Sequence, residues 1–175
     1  MINLRKAKIE ESKTILRFYQ DVIDSIKGTE FKPKWSEHYP NLEFIETSIE
    51  KQEMHVYSKD GKIIAGVLLN NRFNPEYDNI NWICDAKPQE ITVIHTFAVT
   101  SDYTGKGIGK EIFNQIKNNA IENNQTTIRL DIIEGNIGAQ KVFEKFGFEY
   151  IDTVKMFHKA VGLEKFHLYE YVLKK

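Results

Sequence analysis

The spacing of apolar and polar residues changes period several times along the chain, and each change marks an element. "INLRKA" (Ile2–Ala7) alternates apolar with polar and predicts a strand. From Ile9 the period becomes helical: Ile15, Leu16, Tyr19, Val22, Ile23 and Ile26 share a face, and Gly28 follows as a stop signal. "FKPKWSEHYP" carries two prolines and reads as loop, and "NLEFIETSIEK" (Asn41–Lys51) reads as a helix capped by Asn41. In "MHVYSKDGKIIAGVLLN" two β-rich runs flank Asp60-Gly61, the dipeptide that supplies the positive φ angles of a tight hairpin. Residues Asn71–Glu90 are mixed and polar, with a short strand expected around Ile80–Cys84, before a long buried strand at Ile91–Val99.

A glycine turn then leads into a helix with Ile108, Ile112, Phe113, Ile116 and Ala120 on one face. "TTIRLDII" (Thr126–Ile133) is a strand with Ile128, Leu130 and Ile132 on one side. "NIGAQKVFEKFGF" is a short helix with both ends written into it: Asn136 as cap, Gly147 as left-handed stop, Phe148 as the closing apolar contact. "FEYIDTVKMF" and "HLYEYVLKK" close the chain as a strand pair. The order is α/β (α+β) with hairpins at both ends, so a mixed sheet is expected, in one domain over 1–175.

Composition narrows the function classes. A net charge of -1 leaves no basic footprint for nucleic acid. The longest apolar runs, "IIAGVLL" and "ITVIHTFAV", fall well short of the roughly 20 residues of a spanning helix. "MINLRKAKIEESK" has no apolar segment of signal-peptide type, so the cytoplasm is the expected location. Cys84, the single cysteine, excludes an internal disulfide and a cysteine-based metal cluster, and no metal is expected.

The stretch with the most chemical content is "FAVTSDYTGKGIGKEIF". Three alternating glycines between a strand and a helix let backbone N–H groups approach an anion closely. A P-loop is excluded, because Glu111 follows Gly109-Lys110 where a magnesium-binding hydroxyl belongs. Gly105, Gly107 and Gly109 also alternate too tightly for a dinucleotide fingerprint, and the turn lies past the middle of the chain. A glycine turn without a ligand remains an alternative on the turn alone.

"HTFAVTSDYTGKGIGKEIF" together with "RLDIIEGNIGAQKVFEKFGF" resembles the general N-acetyltransferase (GNAT) superfamily of acetyl-CoA-dependent enzymes. Its signature Gln/Arg-x-x-Gly-x-Gly/Ala is matched by Thr104-Gly105-Lys106-Gly107-Ile108-Gly109 except at the first position. The Asn136…Ala139…Gly147-Phe148 pattern and the order of elements extend the likeness over nearly the whole chain. The resemblance implies a mostly antiparallel sheet of about six to seven strands, splayed between the fourth and fifth, with helices on both faces. It implies acetyl-CoA as co-substrate, its pyrophosphate over the turn from Thr104 to Lys110 and its pantetheine along Phe97, Ala98 and Val99. Asn136, Ala139 and Phe143 would complete that site, with Asn136 serving as pantetheine partner, helix cap or both. The acceptor would be a primary amine of a small molecule or peptide. A non-catalytic acyl-CoA-binding sensor is the alternative, and the chain would be a monomer or homodimer.

The chain departs from the family where a tyrosine commonly protonates the leaving thiolate: that position is Phe143. A thiol leaves without full acid assistance, so the acid stays open among Tyr103, Tyr150 and water. The attacking amine must be neutral, and His95 is the first candidate base, because its pKa range suits proton relay. Glu90 is the second, acting through water, while a satisfied core histidine is the competing account of His95. Simple alternation would put His95 with Phe97 and Val99 on one face, and Ile94 with Thr96 and Ala98 on the other. Trp35, Tyr39, Tyr77 and Trp82 either rim an acceptor pocket or anchor loops. Glu76, Asp78 and Asp85 are further candidate bases, with solvated loop acids as the competing account, and Glu76 and Asp78 hint at a cationic acceptor.

Overall fold

The computed structural model describes residues 3–29 and 39–173. Seven strands form one sheet: β1 (Arg5–Lys6), β2 (Met54–Lys59), β3 (Lys62–Asn70), β4 (Ile91–Val99), β5 (Thr127–Ile133), β6 (Glu149–His158) and β7 (Gly162–Val172), in the order β1-β2-β3-β4-β5-β7-β6. Only the central pair β4–β5 is parallel. Helices α1 (Ser12–Ile26) and α2 (Leu42–Glu50) build one apolar core with β2. Helices α3 (Ile108–Glu122) and α4 (Ile137–Phe146) build another.

The local signals act as written. Asp60 and Gly61 turn the β2–β3 hairpin at φ 50 and 76. The Asn41 side chain accepts the Phe44 N–H at 2.9 Å, and Asn136 accepts that of Ala139 at 3.2 Å. Gly147 ends α4 at φ 100, and the Phe148 N–H bonds the Phe143 carbonyl at 3.1 Å. No strand forms around Ile80–Cys84. That segment follows a 3-10 turn (Pro75–Asn79), and Glu170 Oε2 takes the N–H groups of Ile83 and Cys84 at 2.6 and 3.2 Å, which satisfies the backbone without a ladder. Glu170 also pairs with Arg129 at 2.9 Å, both fully buried, while Arg129 reaches the Cys84 carbonyl at 2.8 Å. This network pins the loop of residues 71–90 onto β5 and β7.

Two irregularities shape the centre. The β4–β5 ladder runs only from Ile91↔Thr127 to Val93↔Arg129, so from Ile94 onward β4 leaves β5 and the sheet splays. On its other side β4 carries a bulge: His95 pairs with Leu68 and Ala98 with Gly66, so Thr96 and Phe97 stand opposite Val67 alone. Thr96 takes φ 49, a left-handed conformation that costs about 1–2 kcal/mol outside glycine. The Tyr19 hydroxyl donates to the Thr96 carbonyl at 2.9 Å. Gly66 makes the room, since a Cβ there would lie 2.8 Å from that hydroxyl oxygen.

The bulge overturns the expected face assignment. Ile94 and Phe97, three positions apart, share the core under α3 and α4 with Val99, whereas Ala98 joins the core under α1 and α2. His95 is therefore not on the Phe97 face.

Candidate active site

The splay opens a cavity of ≈ 140 Å³, walled by Ile94 to Phe97 of β4, Leu130 to Ile133 of β5, and Asn136, Ala139 and Phe143 of α4. A second cleft of ≈ 450 Å³ lies between α2, the end of β3 with residues 72–74, and the β6–β7 hairpin. Four residues line both: Tyr39, His95, Asp131 and His158. They form the junction of the two clefts.

At the head of the splay sits the glycine turn. Gly105 and Gly107 have φ 77 and 82, with nothing within 4 Å of where a Cβ would be. The first helical bond of α3 is Glu111 N–H to the Gly107 carbonyl at 3.0 Å, so the N–H groups of Ile108, Gly109 and Lys110 have no acceptor within the helix. Thr104, Lys106 and Lys110 are exposed around them. Gly109 serves packing instead: its Cβ would stand 3.4 Å from the Phe146 ring. Thr96 Oγ1, in the bulge, is buried with no hydrogen-bond partner.

The two histidines of the junction share one tautomer. His95 Nε2 lies 3.0 Å from Asn70 Oδ1 and 3.2 Å from the Arg72 carbonyl. Asn70 Oδ1 also accepts the Arg72 N–H at 2.9 Å, and its Nδ2 donates to Glu53, which in turn binds the Arg72 guanidinium. Both partners of Nε2 are acceptors, so the ring proton sits on Nε2 and Nδ1 keeps its lone pair. Burial lowers the His95 pKa, partly opposed by the charge of Asp131. His158 has the same tautomer: the Ala160 N–H donates to its Nδ1 at 3.2 Å, which leaves the proton on Nε2. Its pKa is also lowered by burial. Tyr39 stands edge-on to His158 at 5.4 Å, and burial, then Asp131, raise its pKa well above the usual phenol value. Asp131 is held through Oδ2 by the Tyr77 hydroxyl at 2.8 Å.

Of the candidates read from sequence, the structure gathers His95, Phe97, Asn136, Ala139, Phe143 and Tyr39 around the clefts. Glu90 is elsewhere, at the closed end of the β4–β5 pair, where its carboxylate accepts the Lys87 N–H at 3.0 Å. Tyr150 lies 52% exposed on β6, its hydroxyl bonded to Thr153 at 2.8 Å, and lines neither cleft. Tyr103 stands beside the glycine turn, with Lys59 and Lys106 over its ring at 5.3 and 5.6 Å. Tyr77 and Trp82 anchor the 71–90 loop rather than rim a pocket: Tyr77 is buried against Phe73, and Trp82 bonds the Tyr77 carbonyl and covers Arg129. Glu76, Asp78 and Asp85 line neither cleft, and Trp35 lies outside the described residues. Sequence reasoning missed Asp131 and His158. The signal for Asp131 was a charge inside the apolar alternation of "RLDII". Among the described residues no group of three or more His, Cys, Asp or Glu could hold a metal ion. No helix among them is long and apolar enough to cross a membrane.

A sheet splayed at its one parallel pair, with a glycine turn heading the opening, is the architecture of acyl-CoA-dependent transferases of the GNAT type. The chain belongs to the acetyltransferase (GNAT) family, whose model matches residues 20–148. The uncharacterized N-acetyltransferase YesJ of Bacillus subtilis is 27% identical over 121 residues, 67% of this chain and 66% of that protein. The chain's matches span 33% to 66% of the length of three curated relatives. A GNAT-family acetyltransferase from Streptococcus agalactiae superposes at TM-score 0.80 with 20% identity, covering 99% of this chain and 96% of that one. The protein yncA of Salmonella typhimurium, solved with its cofactor acetyl-CoA, superposes at 0.69 with 12% identity, covering 100% and 95%. At these identities the structural likeness is one of fold.

Proposed function

We propose that the protein transfers the acetyl group of acetyl-CoA to a primary amine of a small molecule or peptide by direct attack, as one domain over 1–175 in the cytoplasm. The observation that carries this reading is the pair of clefts meeting at Tyr39, His95, Asp131 and His158. A direct transfer needs two ligands whose reacting ends touch.

The residues fit acetyl-CoA. The positive-φ glycines and the acceptor-less N–H groups of α3 suit a pyrophosphate, aided by the helix dipole. The β4 edge from Ile94 to Val99, unpaired toward β5, suits an amide-bearing pantetheine arm, and Asn136 and Ala139 face the same cleft. The orphaned Thr96 Oγ1 is a further hydrogen-bonding point there. When bound, acetyl-CoA supplies the activated acyl carbon and the thiol leaving group. His95 Nδ1 takes the amine proton, since it is the unprotonated nitrogen of a histidine held neutral. Backbone N–H groups of the splayed β4 edge donate to the carbonyl oxygen. Phe143, against Phe97 at 5.9 Å, packs the reacting end without donating a proton.

Calorimetry with acetyl-CoA, ATP and NAD, followed by an amine screen reading free thiol, tests this. Acetyl-CoA binding and amine-dependent thiol release are expected. ATP binding without acetyl-CoA binding would refute the assignment. Acetyl-CoA binding with no thiol release across the screen would favour the sensor reading that Phe143 keeps open.

A further inference from the structure

Asp131 is the one carboxylate at the junction, beside two histidines that burial shifts toward the neutral form and Tyr39, whose phenol pKa burial raises. It has no ion-pair partner among the described residues, although Arg129, two positions earlier on the same face of β5, is fully committed to Glu170. It is also aimed. Tyr77, entirely buried, holds Oδ2 at 2.8 Å, and Tyr77 is itself fixed by stacking on Phe73 at 5.3 Å and by the Trp82 indole on its carbonyl. A half-buried carboxylate, oriented by a buried hydroxyl and without an ion pair among the described residues, offers a cation a fixed partner.

Resting on the acetyl-transfer reading above, we propose that Asp131 is the docking site of the acceptor's ammonium group, and that the acceptor is a monocationic primary amine on an apolar or aromatic body. A free alkyl amine has a pKa near ~10 and arrives protonated. Bound at Asp131, its nitrogen lies beside His95, whose Nδ1 can take the proton that attack requires. Beyond the junction the acceptor cleft offers Phe44, Phe73 and Leu68 as apolar wall, with exposed Lys51 and Lys159 and one exposed acid, Glu43, at its margin. An apolar body gains contact with that wall, while further positive charges on a polyamine would face two lysines against a single acid.

A matched pair of probes isolates the charge. 2-Phenylethylamine is a cation at pH 7, and O-benzylhydroxylamine is nearly the same shape but neutral. With coenzyme A present, calorimetry should find 2-phenylethylamine binding to the native chain and at least tenfold more weakly to Asp131→Asn. O-Benzylhydroxylamine should bind both proteins alike, and spermidine should bind the native chain more weakly than 2-phenylethylamine. Equal loss of both aromatic probes in Asp131→Asn, no discrimination by the native chain, or no binding of the cation would each overturn the proposal. Coenzyme A affinity is measured on the same samples, so failure of the acetyl-CoA reading shows separately from failure at Asp131.

Discussion

The bulge in β4 depends on a three-part contact that a double-mutant cycle can measure. Tyr19, fully buried in α1, gives its hydroxyl to the Thr96 carbonyl at 2.9 Å. Removing that hydroxyl with Tyr19→Phe takes a donor from a part-buried carbonyl, a loss of about 1–2 kcal/mol. Gly66→Ala attacks the same place from β3: its Cβ would lie 2.8 Å from the Tyr19 oxygen and 3.1 Å from a Phe18 ring carbon. Overpacking of this kind costs about 1–3 kcal/mol.

The two losses should not add. In the double variant the 2.8 Å clash disappears with the oxygen, and only the milder ring contacts remain. The combined destabilisation should fall short of the sum by about 1 kcal/mol, within the range for residues in contact. Urea unfolding of the four proteins, with similar slopes, gives the cycle directly. Thr96, at φ 49, should relax toward ordinary strand geometry once its prop is gone, so acetyl-CoA affinity should drop several-fold in Tyr19→Phe. Additivity within ~0.3 kcal/mol, or a destabilised Tyr19→Phe with native acetyl-CoA affinity, would refute this account of the bulge.

At the turn, Gly107→Val meets open space but a φ of 82, so calorimetry should show acetyl-CoA binding weakened more than tenfold, with about 1–2 kcal/mol of local backbone strain. In the pH–rate profile the acid limb should lie below the ordinary histidine value of ~6.5, because burial lowers the His95 pKa and a base works only when deprotonated; His95→Gln should remove that limb and lower turnover while acetyl-CoA affinity holds. His55, His95 and His158 all have folded pKa values below the unfolded one. The stability they contribute by staying neutral is therefore complete above pH ~6.5 and lost as pH falls through the folded values, which unfolding at stepped pH would detect.

Elements with a local cause were legible from sequence. Asp60-Gly61, Asn41, Asn136 and Gly147 each act on the backbone within four residues of themselves, and each does what its chemistry predicts. The 71–90 loop was misread around Ile80–Cys84 because its backbone is satisfied by Glu170, some 86 residues away, a partner no local pattern shows. Tyr77 and Trp82 resemble pocket aromatics for the same reason: their partners, Asp131 and Arg129, lie on a strand more than forty residues later. At the junction, His95 announced itself by residue type, but Asp131 and His158 become neighbours only when β5 and the β6–β7 hairpin close around the splay.

The bulge shows why alternation failed where it mattered most. With a regular β4, Ile94, Thr96 and Ala98 would have shared one face, and His95 would have pointed with Phe97 toward α4. One extra residue opposite Val67 instead keeps Ile94 and Phe97 together under α4, and leaves His95 and Ala98 for the other side. The strand edge that suits the pantetheine arm and the imidazole that faces the acceptor cleft thus come from consecutive residues on opposite sides of a single strand. A regular strand would have turned the histidine with Phe97 toward the α4 face. The sequence cost of that switch is Gly66, which packs nothing of its own, and Tyr19, which contributes a hydroxyl to a fully buried position. A local rule is broken at one residue of the central strand, and the two clefts meet there.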